Sequence, residues 1–187
     1  MKNKSFVIMM QRLANLFEIC GVLLVLLMAF TLQFIFRELP CPLCLLQRFG
    51  FMAIAFGFLL NFRFGFRPSH YSIILISAIF TCFVALRQIA LHVIPGTGAY
   101  GAPVLGYHLY TWSFILAVLI IISTSLLLGV DRQYLERART SKLWQRMTHI
   151  LFAFLVFLTV ANIVSTFFEC GFATCPDNPV RYTLIKS

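Results

Sequence analysis

Charge is what this chain has least of, and negative charge above all. Only 11% of its 187 residues are charged, with six Asp and Glu against fifteen Lys and Arg, for a formal net charge of +9. So little polar sequence cannot cover a soluble core. Hydrophobic residues make up 60% of the chain, against about 45–50% in soluble domains. A water-exposed fold would also have to present many of the 21 Phe to solvent, which excludes it. The excess of cations does not mark a nucleic-acid partner either, because Lys and Arg sit in short clusters between long apolar runs. Such clusters read as membrane topology signals.

About 20 apolar residues cross a hydrocarbon core, and five segments meet that length. They run from about 13–36, 45–62, 69–86, 107–130 and 147–168. The fourth lies in a stretch without any charge from Arg87 to Asp131, too long for one crossing. Pro95, Gly96, Gly98, Gly101, Pro103 and Gly106 break its first half into a loop. The first run ends on Phe34-Ile35-Phe36, with no small-residue cleavage site, so it reads as a permanent span rather than a signal peptide. Apolar residues lie all round each segment, and only helices satisfy the backbone of single spans in lipid. The expectation is an all-α membrane protein: one integral-membrane domain over residues 1–187, a five-span transmembrane helical bundle.

Orientation follows from the cations on alternating connections. The N-terminus, the Asn61–Ser69 loop and the Asp131–Arg146 loop hold Lys2, Lys4, Arg12, Arg63, Arg67, Arg132, Arg137, Arg139, Lys142 and Arg146. The other side holds Arg37, Arg48, Arg87, Arg181 and Lys186. This bias places the N-terminus in the cytoplasm and loops 37–44 and 87–106, with the tail 169–187, outside. Four of the six cysteines then share the outer, oxidising face: Cys41 and Cys44 in the first loop, Cys170 and Cys175 in the tail. Cys20 and Cys82 fall within spans and read as packing residues.

Leu39-Pro40-Cys41-Pro42-Leu43-Cys44-Leu45-Leu46-Gln47-Arg48 carries the chemistry. Two residues between cysteines permit a small-loop disulfide, and Cys44 would occupy the first turn of the second helix, where free N–H groups stabilise a thiolate. Arg48, four residues on, shares the face of Cys44 one turn deeper, and there needs an anionic or polar partner. Alternatives remain at this point: an inert bridge or half a metal site for the cysteines, and an interfacial anchor for Arg48. No second CxxC or nearby His pair completes a metal site in the outer loops, and no metal is expected. Cys170-Gly171-Phe172-Ala173-Thr174-Cys175 can close into a second disulfide at an accessible chain end, for exchange or as a static clip. His92 and His108 flank the Gly/Pro loop as interfacial hydrogen-bonding groups, and Glu18 reads as a local pair near the other end of the first helix.

Pro40-Cys41-Pro42-Leu43-Cys44-Leu45-Leu46-Gln47-Arg48 resembles the signature of the disulfide bond formation protein B (DsbB) family of bacterial inner-membrane proteins. The resemblance extends over the first three spans to Arg87-Gln88-Ile89-Ala90-Leu91. Best-known members have four spans and a second cysteine pair in the loop before the last helix, whereas loop His92–Gly106 has no cysteine here. The chain is similar instead to a variant with an extra span, containing His108-Leu109-Tyr110-Thr111-Trp112, and a cysteine-bearing tail. The resemblance implies an inner-membrane, quinone-dependent oxidoreductase that reoxidises a DsbA-like periplasmic thiol oxidase and passes electrons to ubiquinone or menaquinone. Catalysis would fall to Cys41 and Cys44 and, by position on the same side of the membrane, to Cys170 and Cys175, with Arg48 binding the quinone. The competing readings are a membrane thiol reductase running electrons outward and a metal-handling or scaffold membrane protein.

Overall fold

The structure, a computed structural model, describes residues 2–94, 96, 101, 103–134, 142–176, 179 and 181–184. Residues 95, 97–100 and 102 of the Gly/Pro loop, 135–141 of the last basic connection and Lys186 of the tail lie outside them. So do the side chains of Lys2, Lys4 and Arg132, which the orientation argument also used. Five long helices follow one another: α1 Lys2–Phe34, α2 Pro42–Phe64, α3 Pro68–His92, α4 Leu109–Leu128 and α5 Lys142–Cys170. All five are long and apolar enough to span a membrane. A short 3-10 turn, Asp131–Tyr134, follows α4.

Helix limits differ from the charge-bounded spans wherever the chain lacks a breaker. α3 continues six residues past Leu86, taking Arg87, Gln88 and His92 out of the expected 87–106 loop and into the helix. Nothing before Pro95 opposes helix there, and one terminal Arg can reach the interface from inside a helix. At the other extreme, prolines set the starts: Pro42 and Pro68 occupy first-turn positions of α2 and α3, where their missing N–H is no loss. α5 ends at Gly171, whose φ of +64° suits the left-handed cap and whose N–H bonds the Phe167 carbonyl at 2.8 Å.

α2 is the centre of the bundle. It packs against α1, α3 and α5, while α4 packs on α3 and α5 lies mainly on α2. Ile54, Ala55, Phe58, Tyr71, Ile74 and Ala78 form the fully buried α2–α3 seam, with Ile19 and Leu26 from α1. Outward faces stay apolar, as lipid requires: Leu24, Ile76, Phe83, Leu126 and Phe157 are all strongly exposed. Cys20 belongs to that outer face rather than to the packing expected of it, and Cys82 is half-buried; a thiol is apolar enough for either setting.

Polar groups inside the bundle collect at its two ends. Away from the cysteines, Asn15, Asn61, His70, Tyr71 and Gln133 form one network: Asn15 donates to the Tyr71 hydroxyl (3.1 Å), Asn61 donates to Asn15 (3.0 Å), and Tyr71 donates to Gln133 (2.9 Å). His70 Nδ1 lies 3.0 Å from Asn61 Oδ1. Three helices and the Asp131–Tyr134 turn are thereby fixed in register, because an unpaired amide in that setting is costly.

Gly50 and Gly57, seven residues apart on α2, allow the close approach to α3. A Cβ at Gly57 would meet the Ile74 amide nitrogen at 3.3 Å and the His70 carbonyl oxygen at 3.4 Å, both backbone atoms with little room to yield. Gly57→Val should therefore destabilise the bundle by about 1–3 kcal/mol, read as a lowered thermal midpoint in detergent, while Gly21→Val, with open space around it, should leave the midpoint in place.

Candidate functional site

Consecutive antiparallel helices bring the end of α1, the start of α2, the end of α3, the start of α4 and the end of α5 to one end of the bundle. Cys41 is the N-cap of α2: its backbone is extended (φ −70°, ψ 162°), and its sulfur accepts the Cys44 N–H at 3.1 Å. Pro42 then starts the helix, which places Cys44 in the first turn, where the free N–H groups and the dipole favour negative charge. Cys41 and Cys44 are disulfide-bonded, with Cα atoms 5.0 Å apart. Cys41 is 5% exposed and Cys44 half-buried.

The neighbouring side chain that sequence reading passed over is Gln88. It comes from the part of α3 expected to be loop, is buried, and its amide nitrogen lies 3.2 Å from Cys41 Sγ and 3.5 Å from Cys44 Sγ. Gln47 donates to the Gln88 oxygen at 2.6 Å, which fixes the amide with its N–H₂ towards the sulfurs. Arg87, the residue that the resemblance singled out, faces outward instead. The signal for Gln88 was a lone polar residue at the end of an apolar helix, since such residues rarely face lipid.

Arg48 is buried at 7% exposure and does not act as an interfacial anchor. Its guanidinium donates to Gln33 Oε1 and, at 2.9 Å, to the Ala29 carbonyl of α1, and lies 5.1 Å from the centre of the Phe30 ring. Glu169, one residue before Cys170, is fully buried and lies within electrostatic reach of Arg48. Gln33 also donates to the Tyr182 hydroxyl (3.1 Å), so the tail is tied to the same cluster. Further along, Thr183 donates to the Glu169 carbonyl (2.8 Å) and Leu184 N–H to the Phe168 carbonyl (3.2 Å).

Cys170 and Cys175 close the second disulfide, with a Cα separation of 4.6 Å. The pair is less open than its place near the chain end implies: Cys170 is 7% exposed, because it completes α5 against the bundle, and Cys175 is half-buried. The two histidines frame the site from α3 and α4. His92 Nδ1 lies 2.9 Å from the Gln88 carbonyl and His108 Nδ1 3.0 Å from that of Gly101, and both rings pack against Tyr110, at 5.3 and 5.4 Å.

Between these groups lies a cavity of about 90 Å³ whose walls include Cys44, Arg48, Gln88, Glu38 and Tyr110. A second cavity of about 300 Å³ shares Val25, Ala29, Leu32, Leu109 and Ser113 with it and runs between α1 and α4 past Met28, Trp112 and Leu116. The first combines a disulfide sulfur with a cation and an amide; the second is almost wholly apolar.

A multi-span helical protein with a CxxC disulfide at a helix start, backed by a buried Arg, belongs to the class of membrane thiol-disulfide proteins. The family model described as disulfide bond formation protein DsbB matches residues 11–102, and over that stretch the chain is similar to this family. The match takes in α2, α3, Cys41, Cys44, Arg48 and Gln88 and stops before α4 and the tail pair. No curated protein and no solved structure matches the chain. The matched family implies membrane disulfide bond formation.

The amide donors bear directly on the redox balance of Cys41–Cys44. A thiolate gains more from an N–H donor than a disulfide does, by about 1.5–3 kcal/mol for a charged acceptor, so Gln88 holds the pair towards the reducible side. Gln88→Leu should lower its midpoint potential by roughly 30 mV or more, the equivalent of about 1.4 kcal/mol. Equilibration with glutathione redox buffers reads the shift, and an unchanged potential would show that the amide does not act on the sulfurs.

Proposed function

We propose that the protein is a quinone-linked disulfide oxidase of the bacterial inner membrane, which reoxidises a DsbA-like dithiol protein on the periplasmic face. The observation that carries this reading is the single cavity shared by Cys44, Arg48 and Gln88, continuous in its walls with an apolar cleft between α1 and α4. A flat polar head with two carbonyl oxygens fits the first, and a long isoprenoid chain fits the second, which lies between two lipid-facing helices. The Lys/Arg bias of the connections supports the periplasmic placement of this end.

Cys170–Cys175 would meet the partner. Cys175, the more exposed of the two, is the sulfur open to an incoming thiolate, and Cys170 is then the leaving thiolate. Transfer to Cys41–Cys44 leaves Cys44 as the thiolate favoured by the first turn of α2. A bound quinone supplies the two-electron sink that a strongly oxidising partner requires. Arg48 holds its positive charge where negative charge develops, its fork oriented by Gln33 and the Ala29 carbonyl. Cys41, capped against Cys44 N–H, is poised to reclose the disulfide. Metal handling fits less well, because both pairs are closed sulfur to sulfur and the third polar group at Cys41 and Cys44 is an amide.

The purified protein in lipid should consume quinone when a DsbA-like dithiol is supplied; none consumed with both disulfides intact would overturn the reading. Cys44→Ala should abolish quinone reduction, and Arg48→Lys, which keeps the charge and loses the planar fork, should raise the quinone KM about 10-fold, as loss of one charged hydrogen bond does. Replacing Cys170 and Cys175 by Ser should stop turnover with the protein partner and spare small dithiols.

A further inference from the structure

Among the described residues, Glu38 is the one carboxyl on the walls of the cavity that holds Cys44 and Arg48. The turn after α1 carries it there. Arg37 adopts a left-handed backbone (φ +57°), a conformation uncommon outside glycine, and the Glu38 N–H then bonds the Leu32 carbonyl at 3.1 Å. Glu38 Oε2 lies beside Gly101, where a Cβ would come within 3.8 Å of it, and Gly101 lines the same cavity. His108 Nδ1 holds the Gly101 carbonyl at 3.0 Å, so the loop before α4 is fastened next to the carboxyl. Glu38 is only half-buried, and it therefore borders both the cavity and the water outside.

Opening and closing the Cys41–Cys44 disulfide moves protons, and the other polar walls do not carry them. A guanidinium keeps its proton, an amide has none to give, and a phenol releases one only at about pH 10. We propose that Glu38 is the proton carrier of this site: it takes the proton that leaves Cys44 when the disulfide is reduced, and passes one from water to the electron acceptor when the disulfide re-forms. Arg48 and Cys44 of α2 and Tyr110 of α4 share the cavity walls with it, and the exposed Arg37 adjoins it in the chain. His92 and His108 pack on Tyr110, each with Nδ1 turned to a backbone carbonyl. Glu169 of α5 is fully buried and is not one of the residues lining the cavity.

The step balances. An incoming dithiol loses two electrons and two protons and becomes a disulfide; the Cys41–Cys44 bond breaks to a Cys41 thiol and a Cys44 thiolate. One proton stays on Cys41 and the other leaves through Glu38 to water. On reoxidation the sulfur–sulfur bond re-forms and two electrons pass to the acceptor, with one proton from Cys41 and one that Glu38 draws from water. This second half rests on the quinone reading for its acceptor, whereas the first half does not.

The test treats the halves separately. The full chain in lipid nanodiscs free of quinone would be reduced, and alkylation of Cys44, the more exposed sulfur of its pair, by iodoacetamide would be followed against pH by peptide mass spectrometry. A carboxylate on the same cavity wall disfavours a thiolate, so Glu38→Gln should move the alkylation midpoint down by about half a pH unit or more, and Glu38→Asp should leave it close to that of the wild type. An unmoved midpoint in Glu38→Gln overturns the proposal. With quinone and a small dithiol supplied, Glu38→Gln should lower kcat at least about 10-fold at neutral pH and much less in acid, where water supplies the proton, with the quinone KM little changed and Glu38→Asp restoring most of the rate. A pH profile parallel to that of the wild type, or a change in KM alone, overturns proton delivery by Glu38. The alkylation shift in a protein whose wild type reduces no quinone would overturn the quinone reading and keep Glu38 as the group that takes the Cys44 proton.

Discussion

A guanidinium buried in an apolar bundle has to be surrounded by acceptors and balanced by negative charge, and the cysteine end of this protein is arranged to meet that demand at Arg48. Three helices contribute. α1 offers Gln33, the Ala29 carbonyl and the Phe30 ring; α2 carries the cation itself one turn below Cys44; α5 brings Glu169 within its field. The tail is drawn in through Tyr182 on Gln33. Moving α1 away would take two acceptors from a cation where water cannot replace them, which holds the end of α1 against the start of α2.

The sulfur pair depends on a second constraint, the close approach of α2 and α3. Gly50 and Gly57 let α3 lie against α2, and the same approach carries Gln88 to the two sulfurs. Local sequence sets the other half of that geometry: Pro42 starts the helix, Cys41 caps it, and Cys44 receives the N-terminal dipole. Packing residues far from the cysteines therefore fix the amide that tunes them. The polar network at the opposite end holds the register from which this alignment follows.

What could be read from sequence was whatever is local. Five apolar runs become five helices, and each disulfide joins cysteines three or five positions apart, so spacing alone marks the candidates. Helix ends were less legible, because a charge marks where lipid stops and not where a helix does; α3 passes Arg87 and ends only at His92, before Pro95. Gln33, Gln88 and Glu169 were not legible as a site, since the contacts that define them span separations of 15 to 149 residues. Each nevertheless left a trace in the sequence, as a polar residue inside or at the end of an apolar helix, which is a functional position by default in a membrane protein.

The helix that lies beyond the family match supplies more than an extra crossing. α5 ends in Glu169 and Cys170, so the buried sulfur of the tail pair and a fully buried carboxyl are neighbours in sequence and both held by the bundle, while Cys175 is left half-exposed. Under the proposed function this asymmetry sets the direction of exchange. An incoming thiolate would reach Cys175, and the thiolate released would be Cys170, which α5 holds against the bundle. A pair carried wholly on a loop would leave both sulfurs to move with it. Anchoring one sulfur on α5 keeps the leaving cysteine fixed at the cysteine end of the bundle while the attacked one stays open to a partner.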